Sequence, residues 1–124
     1  MQGYNKELLG KFIGTFNFLQ ERCKVAYQDY ITAGKTFFHA RILRQYNDDL
    51  QKLLREYGYL LPGELQADAI ALLKHYDVWT LCWDDLHNSL RPAVQDEFAF
   101  ANSVTFPREA AQRIGEFLQR TKKE

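Results

Sequence analysis

The stretch of this chain richest in reactive side chains is His75-Tyr76-Asp77-Val78-Trp79-Thr80-Leu81-Cys82-Trp83-Asp84-Asp85-Leu86-His87. His75, Trp79, Trp83 and His87 follow one another at four-residue intervals, which on a helix traces a slowly turning stripe. Two tryptophan faces along one wall could hold an aromatic or cationic ligand, with a histidine or carboxylate fixing its orientation. Trp79, Trp83 and His87 are therefore the candidate ligand-binding residues. The competing expectation is that both indoles belong to the core with their N–H groups bonded to polar partners, because aromatic side chains at core spacing pack.

Asp84 and His87 stand one helical turn apart and could face one metal ion. A carboxylate and histidine so spaced supply half of the ligand set of carboxylate-bridged di-iron bundles. The other half is missing, since neither His39 nor His75 has an acidic residue three positions before it. No metal site and no cofactor is expected. Cys23 and Cys82 sit within helical patterns without partners at metal-ligand spacing, and read as small buried thiols. There is no nucleophile elbow, phosphate-cradling glycine loop or HExxH helix, so no catalytic residue is nominated. The paired carboxylates Asp48-Asp49 and Asp84-Asp85 read as solvated charge on helix faces.

Sixteen basic side chains balance sixteen acidic ones, which leaves no overall field to attract nucleic acid or an anionic membrane. Arg41, Arg44, Lys52 and Arg55, together with Arg120, Lys122 and Lys123, could bind phosphate if they converged. Asp48, Asp49 and Glu56 interrupt the first group, which favours local ion pairing. The N-terminus lacks a basic region followed by an apolar one, and no stretch approaches the length of a membrane span, so a cytoplasmic protein is expected.

Positioning these residues requires helices. Leu9, Phe12, Phe16, Leu19, Cys23, Ala26 and Tyr30 keep a 3-4 apolar spacing, as do Leu43, Tyr46, Leu50, Leu53 and Tyr57. Leu65, Ala69, Leu72, Tyr76, Trp79, Trp83, Leu86 and Leu90 make a third series. The breakers divide the chain. Helix one should run from Asn5, as its cap, to about Ala33, stopped by Gly34. Helix two should run from about Thr36 to Tyr57, with Gly58 as a left-handed cap. Pro62 and Gly63 open helix three, which ends before Pro92. A fourth helix from Phe106 to about Thr121, capped by Thr105, carries a narrow stripe of Ala110, Ile114, Phe117 and Leu118. Short connections make neighbours antiparallel. The expected fold is all-α, an up-down helical bundle of three long helices plus a shorter C-terminal fourth, as a single domain over residues 1–124. With 124 residues, 46% of them apolar, such a domain needs no staple.

Two features remain. Gly10 and Gly14 lie one turn apart inside helix one, either to make space for a bulky neighbour such as Phe12 or Phe16 or to serve a subunit contact. The stretch Ala93 to Val104 breaks the helical rhythm as an extended arm or a single helical turn. Phe98 and Phe100 on it, with Phe106 just beyond, are the candidate partner-contact residues, with the alternative that the rings plug the open side of the bundle. The function expected is a non-enzymatic protein–protein interaction module, an adaptor, regulatory partner or inhibitor, with another protein or a second copy as partner in a possible homodimer. The alternative is a small-molecule-binding or catalytic bundle using the Trp79, Trp83 and His87 region.

Overall fold

The computed structural model describes residues 6–100 and 106–123, and among them the chain forms four α-helices. These are α1 (Lys6–Thr32), α2 (Phe37–Tyr57), α3 (Gly63–Leu90) and α4 (Arg108–Lys123). The expected caps Asn5 and Thr105 lie outside the described residues, as do the side chains of Leu118, Lys122 and Lys123. Successive helices pack antiparallel and α4 closes against α1, giving the up-down bundle that the apolar spacing predicts.

The helices do not share one length, and this shapes the core. At ~1.5 Å per residue, α1 and α3 span about 40 Å and α4 only about 24 Å. One half of the bundle has four helical walls. There Phe12, Ile13 and Phe16 meet Leu50 and Leu54 of α2, Leu65, Leu72 and Tyr76 of α3, and Ala110 and Ile114 of α4. The other half has three, from Ala26 and Tyr30 of α1, Phe37, Ala40 and Leu43 of α2, and Trp83 of α3. Its fourth wall is the arm that follows α3, which inserts Phe98.

The arm is held by the backbone. Thr36 sits at the N-cap position of α2, but its hydroxyl shares a 3.2 Å hydrogen bond with His39 Nδ1 instead of capping. The free N–H groups of Phe37 and Phe38 donate to the carbonyls of Asp96 (2.8 Å) and Val94 (3.0 Å), so the arm caps the helix. Phe98 N–H donates to Lys35 O at 2.8 Å, and a bridge pairs Thr36 with Glu97. The Tyr30 hydroxyl donates to Phe98 O. Burial, with smaller contributions from Tyr27 and Glu97, pushes the Tyr30 pKa up to about 12, so this donor stays protonated at neutral pH. Of the two forms the sequence allows, the described part of the arm takes the extended one after a turn at 94–96.

One turn differs from expectation. Gly58 has φ −58° and starts a short 3-10 helix, Gly58–Leu60, where a left-handed cap is expected. The chain tightens here because Leu61 N–H reaches Gly58 O at 3.1 Å, and Gln66 Nε2 ties both Gly58 O (3.1 Å) and Leu61 O (2.7 Å). At the end of α3 the left-handed residue is Arg91, with φ 45° and its N–H on His87 O at 2.8 Å. Gly34 is left-handed as expected, and Lys35 beside it follows at φ 59°.

The helical glycines correct a further expectation. A Cβ at Gly10 or Gly14 would meet nothing within 4 Å among the described residues, so neither glycine makes room for Phe12 or Phe16. Glycine in a helix interior costs roughly 0.5–1 kcal/mol relative to alanine. Gly10→Ala should accordingly raise stability by about that amount, read as a higher urea midpoint at unchanged slope. A destabilised variant would show that something contacts this face.

Candidate functional site

The residues nominated for ligand and two of the three nominated for partner, Phe98 and Phe100, meet at the three-helix end of the bundle. Trp83 faces Phe98 at 5.0 Å between ring centroids, and Trp79 faces Phe100 at 5.6 Å. Phe37 joins them at 5.2 Å from Phe98. His87 is stacked between Phe37 (5.4 Å, 17°) and Trp83 (5.2 Å, 19°). Trp83 Nε1 donates to Ala40 O at 3.2 Å, which satisfies the indole inside the core. Two guanidinium groups cover the stack from outside, Arg41 at 5.5 Å from the Phe37 centroid and Arg44 at 5.3 Å from Trp83.

Trp83 is buried with His87 stacked on it, while Trp79 and His87 are half-buried and Trp79 has Phe100 tilted against it. Phe98 is 0% exposed and plugs the end that α4 does not reach, while Phe100 is half-buried over Trp79. Phe98 therefore offers no ring face to a partner, whereas Phe100 keeps part of its surface exposed. Phe106 stands apart from them, edge-on to His75 at 5.2 Å and 36% exposed. Two open surface depressions, ≈ 420 and ≈ 500 Å³, lie against α4 around Arg113, the first of them lined in part by Phe106.

The carboxylates are engaged as well. Asp84 accepts from Arg44 Nε at 3.0 Å and Nη2 at 3.1 Å, a bidentate pair that leaves it committed to α2. Asp77 accepts from Gln51 and from Arg55 Nη2 at 3.1 Å, and Asp48 lies 3.9 Å from both Arg44 and Lys52. Arg44 and Lys52 thus form local ion pairs with Asp48, while Arg44 and Arg55 pair across to α3. Within this polar seam the Thr80 hydroxyl is buried without a hydrogen-bond partner among the described residues. With Asp84 held by arginine and His87 held in a ring stack, the pair is not disposed toward a common metal ion. Among the described residues no three His, Cys, Asp or Glu side chains are grouped as a metal site requires. Burial pushes the Cys23 thiol up to about 11, which keeps it protonated and a poor nucleophile at neutral pH.

One charged pair escaped the sequence reading. Asp68 is nearly buried on α3 and accepts from Arg113 Nη2 at 2.7 Å and Nε at 2.8 Å, fastening α4 to the bundle. Position 68 lies beside the apolar series, where i,i+3 and i,i+4 spacing predicts burial, but its partner is far along the chain. Phe37 and Ala40 were legible in principle, since they extend the second apolar series backward by nearly two turns.

No known protein family, characterised protein or solved structure matches the chain.

The Asp68–Arg113 pair carries a pH dependence. The Arg113 hydrogen bonds hold the Asp68 carboxyl below its ordinary value, against a smaller opposing effect of burial. A depressed folded-state pKa gives stability that is complete above the unfolded value of ~4 and is lost as pH falls through the folded value. The wild-type chain should therefore be more stable than Asp68→Asn at neutral pH. That difference should shrink steadily as pH drops below about 4. Urea titrations of both chains between neutrality and strong acid read it directly, and a pH-independent difference would rule the linkage out.

Proposed function

We propose that this chain is a non-enzymatic protein–protein interaction module. The observation that supports this reading is the filled aromatic end. Of the residues best suited to ligand chemistry, Trp83 and His87 pack on each other and on Phe37, Trp83 also meets Phe98, and Trp79 meets Phe100. Large apolar side chains stand instead on convex helix faces, with Phe18 66%, Ile70 65% and Leu81 64% exposed. Convex apolar positions on rigid helices suit docking against another protein's surface.

The test is capture from the native source with the immobilised full chain, compared with Phe18→Asp and with the double variant Ile70→Asp, Leu81→Asp. A partner retained by the wild type and lost by one variant, with both variants melting like the parent, is the expected result. A captured set indifferent to both faces would remove the proposal. Retention of a small molecule by the purified chain in native mass spectrometry would favour the ligand-binding alternative.

A further inference from the structure

α1 carries a second stripe opposite the one that builds the core. Glu7, Lys11, Gly14, Phe18, Glu21 and Val25 repeat at 4-3-4-3-4 spacing and therefore share one face. That face lies between the flank toward α2, where Arg22 Nη2 donates to the Tyr46 hydroxyl at 3.4 Å, and the flank toward α4, where Asn17 lies beside Gly115. Phe18 is 66% and Val25 54% exposed, and space is open above Gly14.

The stripe is self-complementary about the level of residue 16. Gly14 and Phe18 are equidistant from that level, and so are Lys11 and Glu21, and Glu7 and Val25. Two copies laid antiparallel across a two-fold axis at that level would set each Phe18 ring into the space above the other chain's Gly14. The same register would place each Lys11 opposite Glu21 of the other chain. Parallel packing would instead oppose lysine to lysine and glutamate to glutamate. Glu21 already lies 3.2 Å from Lys24, but that pair is 71% exposed on both sides and is readily exchanged. The contact would also account for Gly14, which the fold of one chain does not require.

We infer that a second copy of this chain covers this face, in an antiparallel two-fold contact of α1 with α1 built on Phe18 over Gly14 and Lys11 opposite Glu21. The inference rests on reading the chain as an interaction module and names one partner for it.

Sedimentation velocity of the full chain from low to high micromolar concentration tests it. The wild type should pass from monomer to dimer, and Phe18→Asp should stay monomeric. Lys11→Glu and Glu21→Lys, each opposing like charges at two places, should each weaken the dimer by about tenfold. Mixing those two variants should restore association, because only their heterodimer regains both ion pairs. All three substitutions are on exposed positions and should melt like the parent in dilute solution. A wild type that stays monomeric at high micromolar concentration overturns the inference, as does a mixture that associates no better than its components. Either result leaves the interaction-module reading to its own capture experiment, where another protein's helix could occupy this face.

Discussion

Leu50→Asp should leave the domain largely unfolded at room temperature. Leu50 is 0% exposed, in the four-walled half of the core and in one cluster with Phe12, Phe16 and Leu72. The substitution removes a buried leucine, worth about 2–5 kcal/mol, and adds an acid with no partner, which costs several kcal/mol more or forces protonation. Total stability for a domain of this size is of the order of 5–15 kcal/mol, so the loss is comparable with all of it. Loss of the helical circular dichroism signal is the readout. Lys52→Ala, two residues on and exposed, should move the urea midpoint by no more than ~0.5 kcal/mol in equivalent stability and serves as control. A Leu50→Asp chain that melts within a degree or two of the parent would show that the core face is assigned to the wrong side of α2.

The second large effect is expected at the arm. Phe98→Ser together with Phe100→Ser should lower the melting temperature by ~10 °C or more, because Phe98 is fully buried against Trp83 and Phe37 and deletion of a buried phenylalanine costs about 3–5 kcal/mol. The damage should be uneven. Amide exchange at Phe37 and Phe38, whose N–H groups end on arm carbonyls, should accelerate more than exchange in the half of the bundle closed by α4. Phe106→Ala, at a ring 36% exposed, should cost much less. A double variant with an unchanged melting temperature would mean that the rings lie outside the core.

The helices were legible from sequence because their signal is local. Core spacing in α1 places Phe12, Phe16, Ala26 and Tyr30, all of them buried, and the third series places Leu65, Ala69, Leu72, Tyr76 and Trp83. Leu90 continues that series in spacing yet is exposed, as the last residue of α3. What the sequence could not convey depends on pairings between distant segments. Arg113 finds Asp68, Arg44 finds Asp84, and the arm finds the start of α2, and no periodicity along the chain encodes such meetings. The candidate site shows the same division. The stripe of Trp79, Trp83 and His87 was visible, but whether it lined a cleft turned on Phe37, Phe98 and Phe100 arriving from elsewhere. Gly58 illustrates a further limit, because its conformation follows from Gln66 reaching back to the turn.

Main-chain carbonyls at 94 and 96 do for α2 what a serine or aspartate side chain does for most helices. A cap made of backbone is blind to which residues supply it but acutely sensitive to how many there are. Val94 can change freely as far as this role is concerned, and Asp96 is tied only through the turn that its carboxylate makes with Ala93 N–H at 2.8 Å. Loss or gain of one residue between Pro92 and Asp96 would slide both carbonyls out of register and draw Phe98 away from its seat in the same movement. Variation in this segment should therefore be rich in substitutions and nearly empty of insertions and deletions, the reverse of what its loop-like appearance suggests.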